Sequence, residues 1–194
     1  QITIVGPGQL ILNGTTIQAC DTMWRGITVS ATTKLTVDSF SVIKDANIGI
    51  IAQPTSIVTI RSSDIVDCVL GIFTPPNPVL YAPALNITQT KIGLQASSLK
   101  PDYVSQPAHG ALPKAGIEVN NVIMTLGGSS SGLNEFFKLN TGIVANNSKL
   151  TVRRSKFYNI AYDPFYSEPY RGNSIVVVRT PDSDFAGSRL DVLP

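Results

Sequence analysis

Charge is scarce in this chain. Only 14% of its 194 residues are Asp, Glu, Lys or Arg, well under the roughly 25% usual in globular domains. The basic residues are scattered and leave a net charge of +2, which excludes the concentrated basic footprint of a nucleic-acid binder. Arg153, Arg154 and Lys156 form one small trio, read as solvated strand positions. Cysteine is almost absent. Cys20 and Cys68 stand alone, with no Cys-x-x-Cys, so zinc-ribbon and dithiol redox chemistry drop out. There is one histidine, His109. No apolar run approaches the roughly 18 residues of a membrane-spanning helix. The Asn-Gly hairpin signal occurs once, at Asn13 and Gly14, which counts against a fold of tight antiparallel hairpins.

What is present is apolar and repetitive. The chain is 43% hydrophobic, enough for a sizeable core in one domain or at most two. The stretch from Lys34 to Pro76 says the same thing twice, as KLTVDSFSVIKDANIGIIAQ and SIVTIRSSDIVDCVLGIFTP. Leu35/Val58, Val37/Ile60 and Asp45/Asp67 correspond, and so do the pairs Gly49-Ile50 and Gly71-Ile72. The same beat recurs at Gly26-Ile27, Gly116-Ile117 and Gly142-Ile143, and in degraded form at Ser174-Ile175. A self-similar period near 22 residues is the signature of a solenoid. Each unit holds three short β-type runs, none long enough to bury itself alone.

Units that repeat in one direction pair in parallel, and parallel crossovers are overwhelmingly right-handed. The expectation is therefore an all-β, single-stranded right-handed parallel β-helix of about six coils and one domain. Residues 1–9 supply a leading strand or cap, 10–180 the coils and 181–194 a tail with one weak strand at most. The anchor glycine serves either a positive φ or close packing, and its Ile points into the stack. Asn120-Asn121 and Asn146-Asn147 read as structural corners, laddered amide to amide. Cys20 and Cys68 fall two units apart. Stacked strands sit roughly 4.7–4.9 Å apart, and a disulfide needs its Cα atoms within about 7 Å. Two buried free thiols are expected.

GTTIQACDTMWRGITV followed by LTV and IKDANIGI resembles the secreted parallel β-helix repeat proteins exported by type IX secretion, within the pectate-lyase-like solenoids. The similarity runs over roughly residues 10–160. It implies a secreted or cell-surface location, and the chain reads as an excised piece of a larger processed protein. Asp21-Thr22-Met23 is similar to the short O-glycosylation acceptor of such bacteria, but three residues are a short signal and a plain turn is the favoured reading. The resemblance also raises polysaccharide lyase or glycoside hydrolase activity of the pectate-lyase or polygalacturonase kind. The polygalacturonase-like motifs Asn-Thr-Asp, Asp-Asp, Gly-His-Gly and Arg-Ile-Lys are all missing here.

Two insertions interrupt the repeat, at 95–115 and 161–172. Both fall just before an anchor strand, so both leave the same corner and are expected to meet. The second is rich in rings: Tyr162, Phe165, Tyr166 and Tyr170, with Tyr158 just before it. Asp163, Glu168 and Arg171 sit among them, and the first insertion adds Lys100, Asp102, Tyr103 and His109. Rings flanked by acids and an Arg suit a glycan subsite. Glycosidases need two carboxylates across the scissile bond, so the catalytic candidates are Asp45, Asp67, Asp102, His109, Asp163, Glu168 and Arg171. Calcium prefers several carboxylates; Asp45 and Asp67 are its only stacked pair, and such residues more commonly cap turns. No other cofactor is expected. The leading reading is a non-catalytic structural or adhesive segment that binds glycan or another surface protein through these loops. It is expected to be monomeric, though an exposed terminal coil invites stacking on another copy, and neither nucleic acid nor membrane insertion is expected.

Overall fold

A computed structural model describes residues 1–76, 82–101, 112–128, 132–166, 171–179 and 189–193. The strands follow one another coil by coil. The first coil is β1 (Ile2–Ile4), β2 (Gln9–Asn13) and β3 (Thr16–Ile17). The next three are β4 (Ile27–Val29), β5 (Lys34–Asp38), β6 (Val42–Lys44), then β7 (Ile48–Ala52), β8 (Ile57–Arg61), β9 (Asp64–Val66), then β10 (Leu70–Phe73), β11 (Ala84–Thr88), β12 (Lys91–Gly93). Two more follow: β13 (Ala115–Asn120), β14 (Ile123–Leu126), β15 (Asn134–Leu139), and β16 (Thr141–Asn146), β17 (Lys149–Arg153), β18 (Ser155–Ile160). The last strands are β19 (Ile175–Val178) and β20 (Arg189–Leu193).

Every third strand lies on its predecessor. Sheet A is β1-β4-β7-β10-β13-β16-β19, sheet B is β2-β5-β8-β11-β14-β17-β20, and sheet C is β3-β6-β9-β12-β15-β18. All strand pairings are parallel, as in Ile50 on Ile27 and Ile72 on Ile50. This is the right-handed parallel β-helix expected from the repeat. The anchor isoleucines Ile27, Ile50, Ile72, Ile117 and Ile143 are fully buried in its core.

The corners explain the composition. Between sheets B and C the coils turn through left-handed residues: Gly14, the pair Ser39 and Phe40, Ser62, Gln89, Gly127 and Arg154. A buried hydroxyl then closes the turn. Ser41 Oγ donates to the Asp38 carbonyl, Ser63 Oγ to Arg61 and Thr90 Oγ1 to Thr88. Such short side chains satisfy the carbonyls that a strand end leaves open, so hydroxyls and amides stand where other folds place charge. Between sheets A and B, Asn146 Nδ2 donates to Asn120 Oδ1 at 3.1 Å, and Asn120 Nδ2 donates to the Thr74 carbonyl. Asn121 and Asn147 take positive φ. These asparagines are the laddered corners anticipated from the sequence.

The structure decides the role of the anchor glycine. Only Gly26 of the five takes a positive φ. A Cβ on Gly49 would stand 2.7 Å from the Gly71 carbonyl oxygen, one on Gly71 2.4 Å from that of Gly116, and one on Gly142 2.2 Å from that of Ser174. The glycine is therefore a spacer that lets the next coil approach. At the sixth position Ser174 already carries a Cβ, and among the described residues no strand follows β19 in sheet A.

One cysteine departs from expectation. Both thiols are free, but Cys20 is exposed and only Cys68 is buried. Ile17 stacks on Ile43 and Trp24 on Ala46, so the first coil spans with seven steps what the second spans with three. The extra residues push Cys20 outward. Cys68 stays inside, with Sγ against the Val66 carbonyl at 3.3 Å, and burial pushes its thiol up to about 12.

Candidate functional site

The corner between sheets C and A carries every described candidate acid. Asp45 and Asp67 each follow a sheet C strand, with φ of 60° and 56°. The insertions leave from this corner too, after β12 and after β18. Asp102, Tyr103, His109, Glu168 and Tyr170 lie outside the described residues.

The first insertion runs back along the flank. Met23, Leu94 and Leu99 form a small buried cluster of their own, with Val69 and Leu112 against it. The Met23 amide donates to the Pro101 carbonyl at 2.7 Å. Lys100 Nζ donates to the Ala19 and Cys20 carbonyls and to Asp45 Oδ2, the last at 2.8 Å. Asp45 is thus a buried acid neutralised by a strap that reaches from the fourth coil to the first. Asp67 Oδ1 accepts the amides of Gln95 and Ala96 at 2.7 and 2.8 Å, which caps the departing chain.

The two insertions meet, as their shared corner implied. Asp163 Oδ2 accepts the Leu112 amide at 2.7 Å, and its Oδ1 accepts the Phe165 amide at 2.9 Å. Tyr166, nearly buried, donates its hydroxyl to the Leu112 carbonyl. Asn140 joins the structure beneath: its Oδ1 accepts the Asp163 amide and its carbonyl accepts that of Gly172. The sequence reading missed Asn140. Its one signal is the spacing, two residues before an anchor glycine, that Asn47 shares.

Among the described residues of the insertions, two rings face solvent. Tyr162 and Phe165 are 56% and 55% exposed. Arg171 lies 4.2 Å from the Tyr162 ring centroid, and its Nη1 donates to the Tyr166 carbonyl. No family model matches the chain, and no curated protein or solved structure matches it. The chemistry of the corner must therefore be read from its own atoms. Asp45, Asp67 and Asp163 are each hydrogen-bonded to protein groups through at least one carboxylate oxygen. Among the described residues no group of three or more His, Cys, Asp and Glu is placed to hold a metal ion. Asp45 and Asp67, the calcium pair considered from sequence, instead bond to Lys100 and to backbone amides.

Tyr158 belongs elsewhere. It sits on the outer face of sheet C, stacked on Phe137 at 5.6 Å, with Lys156 Nζ 4.9 Å from its ring. Its hydroxyl donates to Glu135 Oε2 at 3.0 Å. Burial, and then that bond, hold the phenol above its usual value. Register places Asp64, Lys91, Glu135 and Lys156 in one column beside it, alternating in sign. Burial raises the Asp64 carboxyl, Lys91 opposes this and Glu135 adds to it. Successive members of the column are 21 to 44 positions apart in sequence, and only the register brings them together.

Proposed function

We propose that the chain is a non-catalytic structural and adhesive segment of a secreted or cell-surface protein of the pectate-lyase-like β-helix kind. Its contact surface is the solvent-facing part of the two joined insertions, Tyr162, Phe165 and Arg171, and its ligand is a glycan or a glycan-bearing partner. The observation that carries this reading is the division of labour at the corner. The acids Asp45, Asp67 and Asp163 hold the loops in place, while the exposed rings are left outward beside a guanidinium. An aromatic face with an adjacent charge-assisted donor suits a sugar ring and its hydroxyls.

A glycan array with the 194-residue chain tests this, followed by Tyr162→Ala and Phe165→Ala on any sugar retained. Loss of binding in both variants with unchanged melting supports the surface. Binding that survives both places the contact elsewhere. Release of new reducing ends or unsaturated products from polyuronates by the wild-type chain would refute the non-catalytic part.

A further inference from the structure

We propose that the turn carrying Phe40 is a separate carbohydrate contact, one that takes the apolar face of a neutral sugar ring. It lies between sheets B and C, on a different edge of the coil from Tyr162, and does not rest on the reading of that surface. The turn holds one residue more than its neighbours. Val37 pairs with Ile60 and Val42 with Asp64, so the second coil takes five steps where the third takes four. The first coil also takes four, from Leu12 to Thr16, and so does the fourth, from Ile87 to Lys91. The extra length appears as two left-handed residues in succession, Ser39 with φ 56° and Phe40 with φ 62°. A bulky side chain at positive φ is costly, and Gly or Asn would hold this backbone better. Packing does not offset the cost. Phe40 is 85% exposed, more than any other large apolar side chain among the described residues. Single exposed apolar residues are ordinary, but this one is also inserted and held in an unfavourable backbone conformation.

The turn is firmly held. The Phe40 amide donates to the Ser62 carbonyl at 2.7 Å, and the Ser41 amide and Oγ both donate to the Asp38 carbonyl. Ser41 Oγ also accepts the Thr15 amide. Asp38 Oδ1 accepts the Ser39 amide at 2.7 Å, and its Oδ2 bonds Arg61. The ring therefore stands on a preorganised base, which lowers the ordering cost of binding. Asn13, paired with Asp38, and Arg61 flank it in the coils on either side. The Arg61 side chain is 58% exposed, and its bond to Asp38 occupies one of the five N–H donors of a guanidinium. A sugar matches this set: its C–H face covers the ring, and its hydroxyls meet the hydroxyls, the amide and the guanidinium. Asp38 already neutralises Arg61, so the turn favours a neutral sugar over a uronate. A protein partner would need several apolar anchors around a drained centre, and this turn offers one ring among polar groups.

Amide-resolved NMR on the isotopically labelled 194-residue chain tests this, with neutral oligosaccharides of glucose, xylose and mannose and with oligogalacturonate as probes. At least one neutral probe should move the amide resonances of Ser39, Phe40, Arg61 and Ser62. Phe40→Asn, which suits the left-handed backbone, should melt at or above the wild-type temperature. The same variant should weaken binding at this turn by about tenfold or more. Tyr162→Ala/Phe165→Ala should leave the turn's response unchanged, so each surface is read through its own resonances. The proposal falls if no neutral probe moves the turn, if oligogalacturonate alone does, or if Phe40→Asn binds like wild type. It also falls if Phe40→Asn lowers the melting temperature, since the ring would then serve packing, or if the Tyr162 double variant abolishes the turn's response.

Discussion

Gly71→Ala would insert one methyl group between two coils. Its Cβ would stand 2.4 Å from the Gly116 carbonyl oxygen and 2.9 Å from Ile92 Cγ2. Ordinary contact begins near 3.4 Å, so β10 and β13 would have to part by about 1 Å at a point where Ile72 pairs with Ile117. Overpacking of a core costs about 1–3 kcal/mol. Here the obstructing atom is backbone held in a ladder, so the upper end applies, about 3 kcal/mol. For a chain of this size each kcal/mol lowers Tm by about 2–4 °C, giving a drop of about 6–12 °C in a far-UV circular-dichroism melt. Ser174→Ala is the control in the same column. It should stay within about 0.5 kcal/mol, as surface changes do. A Gly71→Ala melt within about 2 °C of wild type would refute the claim that the anchor glycine is a contact spacer.

Thiol titration should count one reactive cysteine, Cys20, in the native protein and two after denaturation; a native count of two would contradict the burial of Cys68. Because the Cys68 value is raised to about 12 from 9.0, its contribution is fully present below pH 9 and is lost as pH climbs toward 12; it should vanish from the alkaline unfolding curve of Cys68→Ala. Lys100→Met leaves the Asp45 carboxylate buried without its cation, and chemical denaturation should show a loss of about 3 kcal/mol; an unchanged midpoint would mean that the strap adds nothing. Asn120→Ala removes a rung of the corner ladder and should cost about 1–2 kcal/mol in the same assay. Asp64 has a raised carboxyl, so its neutral form is the better tolerated one in the folded state. Its contribution is greatest below the unfolded value and lost as pH rises through the folded one. Asp64→Asn should therefore raise Tm at neutral pH, with the gain shrinking toward pH 3; a gain that persists in acid would point to another cause.

Much of the fold is legible in the chain because a solenoid is periodic. Gly49-Ile50 and Gly71-Ile72 are neighbours in space for the same reason that they resemble each other in sequence. Low charge and recurring Ser, Thr and Asn likewise foretell corners closed by short polar side chains. The common origin of the two insertions follows from their phase in the repeat, and Asp163 bonded to Leu112 bears out their meeting. The exposure of Cys20 was not legible, since four extra residues in one corner shift the phase without disturbing the anchors. Nor were the partners of Asp45, Asp67 and Asp163. A carboxylate near a loop reads alike whether it awaits a ligand or accepts a backbone amide, and only coordinates tell these apart. The sequence by itself determined the parallel coil, its period and which side chains fill it, because those depend on spacing along the chain. Tertiary structure alone decided which charges and rings remain open to solvent, because that depends on atoms from coils distant in sequence coming within a few ångströms.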